Sequence, residues 1–170
     1  MLKKIVIMLS LLLVVSGCTN RSRQLDEEKY NAYLAYYQSI LDYDNKTDSS
    51  VNFNIEVVAN KTNGKYRYDL IIDDPKVSMY DIEVLMIVDN VTATINTEEM
   101  MPTIGIFEDD NYCMIPHQVD VEKGYYAGLD LSVVSEEPTI HISAMVSFAN
   151  QSRTETYREY FTFAAAYTEE

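Results

Sequence analysis

The chain has 170 residues, and its 27 acidic and 13 basic side chains give a formal net charge of −14. Nucleic acid and anionic membrane surfaces repel so acidic a protein, which excludes binding to either of them through charge. A chain of this size buries about 70% of its unfolded surface, so its core needs neither a disulfide nor a metal. We therefore expect a single folded domain with no nucleic-acid partner.

The first 17 residues have the pattern of an export signal. Lys3 and Lys4 form a basic start, and an apolar run follows from Ile5 to Val15, interrupted only by Ser10. A helix that crosses a bilayer needs about 20 apolar residues, and this run is shorter. A basic start, a short apolar run and small residues behind it are typical of a signal peptide that is removed, here residues 1–17.

The end of this segment reads Val15-Ser16-Gly17-Cys18 and resembles the lipobox of bacterial lipoprotein precursors. The resemblance implies cleavage between Gly17 and Cys18 and attachment of diacylglycerol, with fatty chains such as palmitate, to the Cys18 thiol. Each buried methylene adds about 0.8 kcal/mol of membrane affinity, so two chains give stable attachment. The expected location is therefore the extracytoplasmic face of the cell membrane.

Without the leader, 11 basic and 27 acidic residues leave a net charge of −16. Residues 18–24 form a polar tether, and residues 25–50 are predicted to be an amphipathic helix followed by a polar linker. The apolar stripe of the helix spans fewer than three heptads, which favours packing on its own domain over a coiled coil. Docking on a partner protein is the alternative. The stripe consists of Tyr30, Tyr33, Leu34, Tyr37, Ile40 and Leu41.

From residue 51 the apolar residues alternate with a period of two, as in β-strands. Seven or eight such segments separated by turns predict an antiparallel β-sandwich over residues 51–165, with a tail at 166–170. In outline this resembles an immunoglobulin-like or fibronectin-type domain. The strongest turn signal is Asn63-Gly64, because both turn positions need positive φ. Its predicted cross-strand pairs are Ala59 with Tyr68, Val57 with Leu70, and Ile55 with Ile72.

Three further hairpins are predicted, with turns at 89–90, 135–138 and 150–153. The first would pair Val84 with Ile95, and the second would pair Leu131 with Ile142. The third would place Val146 opposite Tyr157, and its register would direct Glu159 inward. The alternation alone gives no reason for an inward carboxylate.

Residues 100–117 hold the side chains with the most distinctive chemistry. Cys113, Met114 and His117 are soft ligands of the kind that copper prefers. The spacing resembles the Cys, His, Met loop of copper-binding sandwiches, but no histidine precedes Cys113 and no methionine soon follows His117. We therefore expect a buried Cys113 and no metal cofactor. The other histidine, His141, is predicted to face outward from a strand.

No combination of nucleophile, base and orienting group can be read from the sequence, so we do not expect an enzyme. The 14 tyrosines suggest either a glycan- or protein-binding face or ordinary packing, and periodic core positions favour packing. The expected function is that of a membrane-anchored module that binds an unidentified protein or cell-envelope ligand. One alternative is an accessory subunit that docks on a membrane complex through the helix. Another is a metal carrier or enzyme centred on Cys113 and His117.

Overall fold

The computed structural model describes residues 27–88 and 100–169. The predicted leader, the lipidated residue Cys18 and the turn at 89–90 lie outside these ranges. The helix α1 covers residues 27–42. The other elements are β1 (Asn54–Thr62), β2 (Lys65–Asp73), β3 (Tyr80–Val88), β4 (Thr103–Ile104), the 3-10 helix η1 (Val121–Lys123), β5 (Gly128–Ser135), β6 (Thr139–Ala149) and β7 (Thr156–Ala166).

The strands form two antiparallel sheets with the orders β1-β2-β5 and β4-β3-β6-β7. The predicted fold class, a mainly β antiparallel sandwich with one helix on its N-terminal side, is confirmed. The core between the sheets is apolar, as alternating strands require. Its fully buried side chains include Tyr68, Leu70, Ile72, Ile82, Val84, Met86, Ile142 and Phe161.

The hairpin at Asn63-Gly64 has the predicted register. Ala59 pairs with Tyr68, and the pairs continue along both strands as expected. Asn63 has a φ of 54° and Gly64 a φ of 80°, which are the values that a tight hairpin turn demands. Local turn chemistry and the alternation of apolar residues therefore determine this hairpin together.

The predicted hairpin between β5 and β6 is wrong. β5 pairs with β2, and β6 pairs with β3 and β7, so residues 136–138 connect one sheet to the other. Leu131 and Ile142 still face the same core, but from opposite sheets. Alternation shows which side chains point inward, but it does not distinguish a neighbour in the sheet from one across the core. The predicted pairing of Val84 with Ile95 involves a residue outside the described ranges. Within those ranges, Val84 pairs with Ile104 in β4 and with Val146 in β6.

The hairpin between β6 and β7 exists, but its register differs from the prediction by two residues. Val146 pairs with Glu159 instead of Tyr157. The reason is the connection, which contains residues 150–155 and is closed by hydrogen bonds between Asn150 and the other end of the loop. Glu159 does point inward, where its Oε1 accepts a hydrogen bond from Asn52 Nδ2 at 2.8 Å. This hydrogen bond gives the inward-pointing Glu159 carboxylate a partner that could not be predicted from the sequence.

The helix α1 packs on the outer face of the four-stranded sheet, against its own domain as predicted. Tyr36 joins this interface although the predicted stripe omitted it. Leu41 is 52% exposed, which corrects the stripe, because it lies at the edge of the stripe one residue before the helix ends. No helix in the described ranges combines the length and apolar character needed to cross a membrane. The buried residues of this second core are Tyr33, Ile40, Leu85, Ile87, Met101, Ile106 and Met145.

Candidate functional site

The three residues of the predicted metal site lie in different environments. Cys113 is buried with 3% exposure, as expected, while Met114 fills the sandwich core. His117 is exposed, in a turn, with a φ of 62°. Within residues 27–88 and 100–169, no group of three or more His, Cys, Asp or Glu side chains could hold a metal ion. His141 is exposed between two buried isoleucines.

A cleft of about 260 Å³ lies at the end of the sandwich where β6 and β7 meet their connecting loop. Its walls come from three parts of the chain: the linker before β1, the segment before β3, and the β6–β7 hairpin. We call it the Tyr157 cleft. Its lining residues are Asn52, Val77, Ser78, Phe148, Asn150 and Tyr157.

The ring of Tyr157 forms an aromatic surface in this cleft. Tyr157 is 44% exposed and pairs with Phe148 across the hairpin, so both side chains are on the same face. Their ring centroids are 5.4 Å apart with 28° between the planes. Phe148 is 2% exposed and meets the edge of Phe53 at 6.1 Å. The buried aromatic rings therefore hold an exposed one in a fixed orientation.

Hydrogen bonds hold the phenol end of this ring. Tyr157 Oη donates to Glu155 Oε2 at 2.7 Å. The hydrogen bond and the negative charge of Glu155 raise the pKa of Tyr157, because both favour the protonated phenol. Asn150 Nδ2 lies 3.3 Å from the same carboxylate oxygen. The loop thus fixes Tyr157 at its polar tip while Phe148 fixes its ring.

Asn52, in the linker before β1, supplies a polar side chain to the cleft. Its Nδ2 donates to Glu159 Oε1, and its backbone oxygen accepts a bond from Lys76 N at 2.7 Å. An amide has two N–H donors and an acceptor oxygen, so the bond to Glu159 leaves most of its hydrogen-bonding capacity available. Ser78 adds a hydroxyl to the same cleft. The cleft therefore combines an apolar surface with a few oriented polar groups, which is typical of small-molecule sites.

A second polar group of residues lies between α1 and the sheet. Tyr36 Oη donates to Glu83 Oε2 at 2.5 Å, and the Arg158 guanidinium lies 4.9 Å from the Tyr36 ring centre. Burial, followed by the hydrogen bond and charge of Glu83, raises the pKa of Tyr36 to about 12. All three side chains serve the helix–sheet contact, so we assign this group to the fold.

The outer face of the three-stranded sheet carries a further charged group. Asp69 Oδ1 accepts hydrogen bonds at 2.6 Å from both Arg67 Nε and Ser132 Oγ. Burial and then the charge of Asp69 raise the pKa of Asp130, which lies 3.6 Å from Arg67 Nη2. Because these groups bind one another along adjacent strands, they stabilise the sheet and do not form a site.

No family model, curated protein or solved structure matches this chain.

Proposed function

We propose that the protein is a lipid-anchored lipoprotein whose β-sandwich binds a ligand at the extracytoplasmic face of a membrane. The observation that carries the proposal is the sequence Val15-Ser16-Gly17-Cys18, which directly follows an apolar run too short to cross a bilayer. Diacylglycerol on Cys18 attaches the chain, and residues 18–24 connect this anchor to the folded part. The Tyr157 cleft supplies a place for a ligand.

The charge of the protein supports a lipid anchor over electrostatic attachment. Without its leader the chain carries a net charge of −16, and an anionic membrane surface repels it. Two acyl chains supply hydrophobic attachment to the membrane, which is strong enough to overcome the repulsion between the acidic protein and the anionic surface. The folded body then faces the aqueous side, and the membrane holds only the modified terminus.

We further infer that the sandwich is immunoglobulin-like. If β1, β2 and β5 are strands A, B and E, then β4, β3, β6 and β7 follow the order C′, C, F and G. This is the arrangement of strands in immunoglobulin-type sandwiches, where C′ extends the sheet that contains C, F and G. Such domains commonly bind ligands on a rigid scaffold, which agrees with the proposed role.

The alternatives expected from the sequence lack support of this kind. A docking helix needs an exposed apolar stripe, but Tyr33 and Ile40 are buried against the sheet. A metal or catalytic centre needs Cys113 and His117 to face a common space, but one is buried and the other is exposed. We therefore prefer a binding module.

The proposal is tested by fatty-acid labelling of the full chain produced in bacterial cells. We expect the wild-type protein to incorporate an alkyne-tagged fatty acid and to enter the detergent phase on partitioning. Cys18→Ala removes the acceptor thiol, so it should lose the label and retain its leader. Cys113→Ser is the matched control, because it removes the other cysteine and should be labelled normally. Label in Cys18→Ala, or none in the wild type, would overturn the proposal.

A further inference from the structure

We propose that the Tyr157 cleft binds one ring of a neutral saccharide. The inference rests on the proposed role as a binding module and names the class of ligand. The volume of the Tyr157 cleft, about 260 Å³, is just below the roughly 300–1,000 Å³ of sites for drug-sized ligands. A cleft of this size suits a single ring with its substituents, and longer chains would extend into solvent.

The Tyr157 ring provides the surface on which the sugar lies. A pyranose ring has a face of C–H groups and an edge of hydroxyl groups, so it needs an apolar plane bordered by polar atoms. Tyr157 offers such a plane, because its ring is partly exposed and is held by Phe148 and Glu155. A ring that is already fixed loses little conformational entropy when a ligand binds.

Asn52 and Ser78 provide hydrogen bonds for the hydroxyl edge. Sugar hydroxyls both donate and accept, and an amide and a hydroxyl together offer both functions. Glu159 holds the Asn52 amide in one orientation by accepting its Nδ2 proton at 2.8 Å. Both residues line the same cleft as Tyr157. The polar groups are therefore placed before the ligand arrives.

The surrounding charges disfavour an anionic ligand, and the single exposed aromatic ring disfavours a quaternary ammonium group. Glu155 and Glu159 accept hydrogen bonds from two lining residues, Tyr157 and Asn52, so their negative charges lie close to the cleft and would repel an anion. Two basic residues of the segments that form the cleft are already paired, Arg153 with Asp81 at 2.7 Å and Lys76 with Asp74. A cationic ligand would find only one exposed ring among the lining residues, that of Tyr157, whereas quaternary ammonium groups are recognised by a cage of several rings. A neutral ring needs no charged partner.

Saturation-transfer NMR on the full-length protein tests this inference. The protein is held in polyoxyethylene detergent micelles, because detergents with sugar headgroups would compete. The probes are glucose, galactose and N-acetylglucosamine, and choline serves as the cationic probe. We expect transfer to the ring C–H protons of at least one sugar, with a dissociation constant on the order of 1 mM, since about 12–15 non-hydrogen atoms contribute modestly.

Three variants separate the cleft from the rest of the surface. Tyr157→Ala should weaken sugar binding by at least about tenfold, whereas Tyr157→Phe keeps the ring and should stay within about threefold. Val77→Arg should block the cleft from a partly exposed position without disturbing the core. Tyr43→Ala is the control, because Tyr43 is an exposed tyrosine outside the cleft that stacks on Tyr160. Each variant is first shown by circular dichroism to unfold at the wild-type temperature to within a few degrees.

The outcomes distinguish this inference from the proposed function. Sugar binding that Tyr157→Ala and Val77→Arg both reduce supports it. Absence of sugar transfer, or equal binding by the wild type and these variants, overturns it. Transfer to choline alone replaces the saccharide with a cationic ligand. None of these results changes the lipid-labelling experiment, so the saccharide inference can fail while the anchored module stands.

Discussion

The hydrogen bond from Tyr36 to Glu83 offers a direct test of how α1 is fixed to the sheet. Its oxygens are 2.5 Å apart, and both side chains are partly buried. Tyr36→Phe keeps the ring and its contact with the Arg158 guanidinium but removes the only hydroxyl donor of this residue. The Glu83 carboxylate then loses a partner within the interface. We expect the helix–sheet contact to weaken and the folded state to lose stability.

Hydrogen bonds to charged groups contribute about 1.5–3 kcal/mol to stability. Glu83 keeps partial access to water, so we expect the lower end of that range, about 1.5 kcal/mol. For a chain of this size each kcal/mol shifts the midpoint of thermal unfolding by about 2–4 °C, which gives a fall of about 3–6 °C. Tyr157→Phe is the matched control, because it removes the same group from a bond to Glu155 at an exposed site. Its cost should be below about 0.5 kcal/mol.

The assay is unfolding of the full-length protein in polyoxyethylene detergent, followed by far-ultraviolet circular dichroism. Its pH dependence supplies a second readout. The folded state raises the pKa of Tyr36 to about 12, first through burial and then through Glu83. The resulting stabilisation is therefore fully present below about pH 10 and is lost as the pH rises toward 12. The difference in stability between the wild type and Tyr36→Phe should therefore decrease as the pH rises from about 10 to about 12. Equal stability losses for Tyr36→Phe and Tyr157→Phe, or a gap that does not change with pH, would refute the reasoning.

Two further predictions use the same unfolding assay. Gly64 and Gly105 both have positive φ, but a Cβ at Gly64 meets open space and one at Gly105 overlaps the backbone oxygen of Ile82. Gly64→Ala should cost about 1–2 kcal/mol and Gly105→Ala at least about 3 kcal/mol, and equal costs would contradict this. Lys29 binds Asp109 at 2.5 Å and lowers the pKa of that carboxyl, so this contribution is present at neutral pH and is lost as the pH falls through the folded pKa. Asp109→Asn should therefore lower the unfolding temperature slightly at pH 7 and low salt, and the difference should shrink as the carboxyl becomes protonated at acidic pH or in about 1 M salt.

The parts of the fold that depend on local chemistry could be predicted from the sequence. Asn63-Gly64 determines a hairpin because its turn needs positive φ, and the neighbouring alternation independently agrees with the register. The helix was also predictable from its stripe, since Tyr33 and Ile40 recur at helical spacing. The exposure of Leu41 could not be predicted from the stripe, because it depends on where the helix ends.

The candidate cleft could not be predicted, because three distant segments form it. Its position depends on the β6–β7 register, which a six-residue loop shifts by two residues relative to the predicted turn. That shift places Tyr157 beside Phe148 and Glu159 beside Val146. The inward Glu159 was the one visible signal, since a carboxylate on an apolar face needs a partner. Asn52 is that partner, and it also lines the cleft.

The central claim is that a lipid thioether on Cys18 anchors the chain, and counting thiols in the unfolded protein tests it most directly. Cys113 is buried and should react with a maleimide only after denaturation. A Cys18 sulfur bonded to diacylglycerol cannot react at all. Full chains isolated from membranes and then denatured should therefore bind one maleimide each, and Cys113→Ser should bind none. Two reactive thiols per denatured wild-type chain would contradict the account.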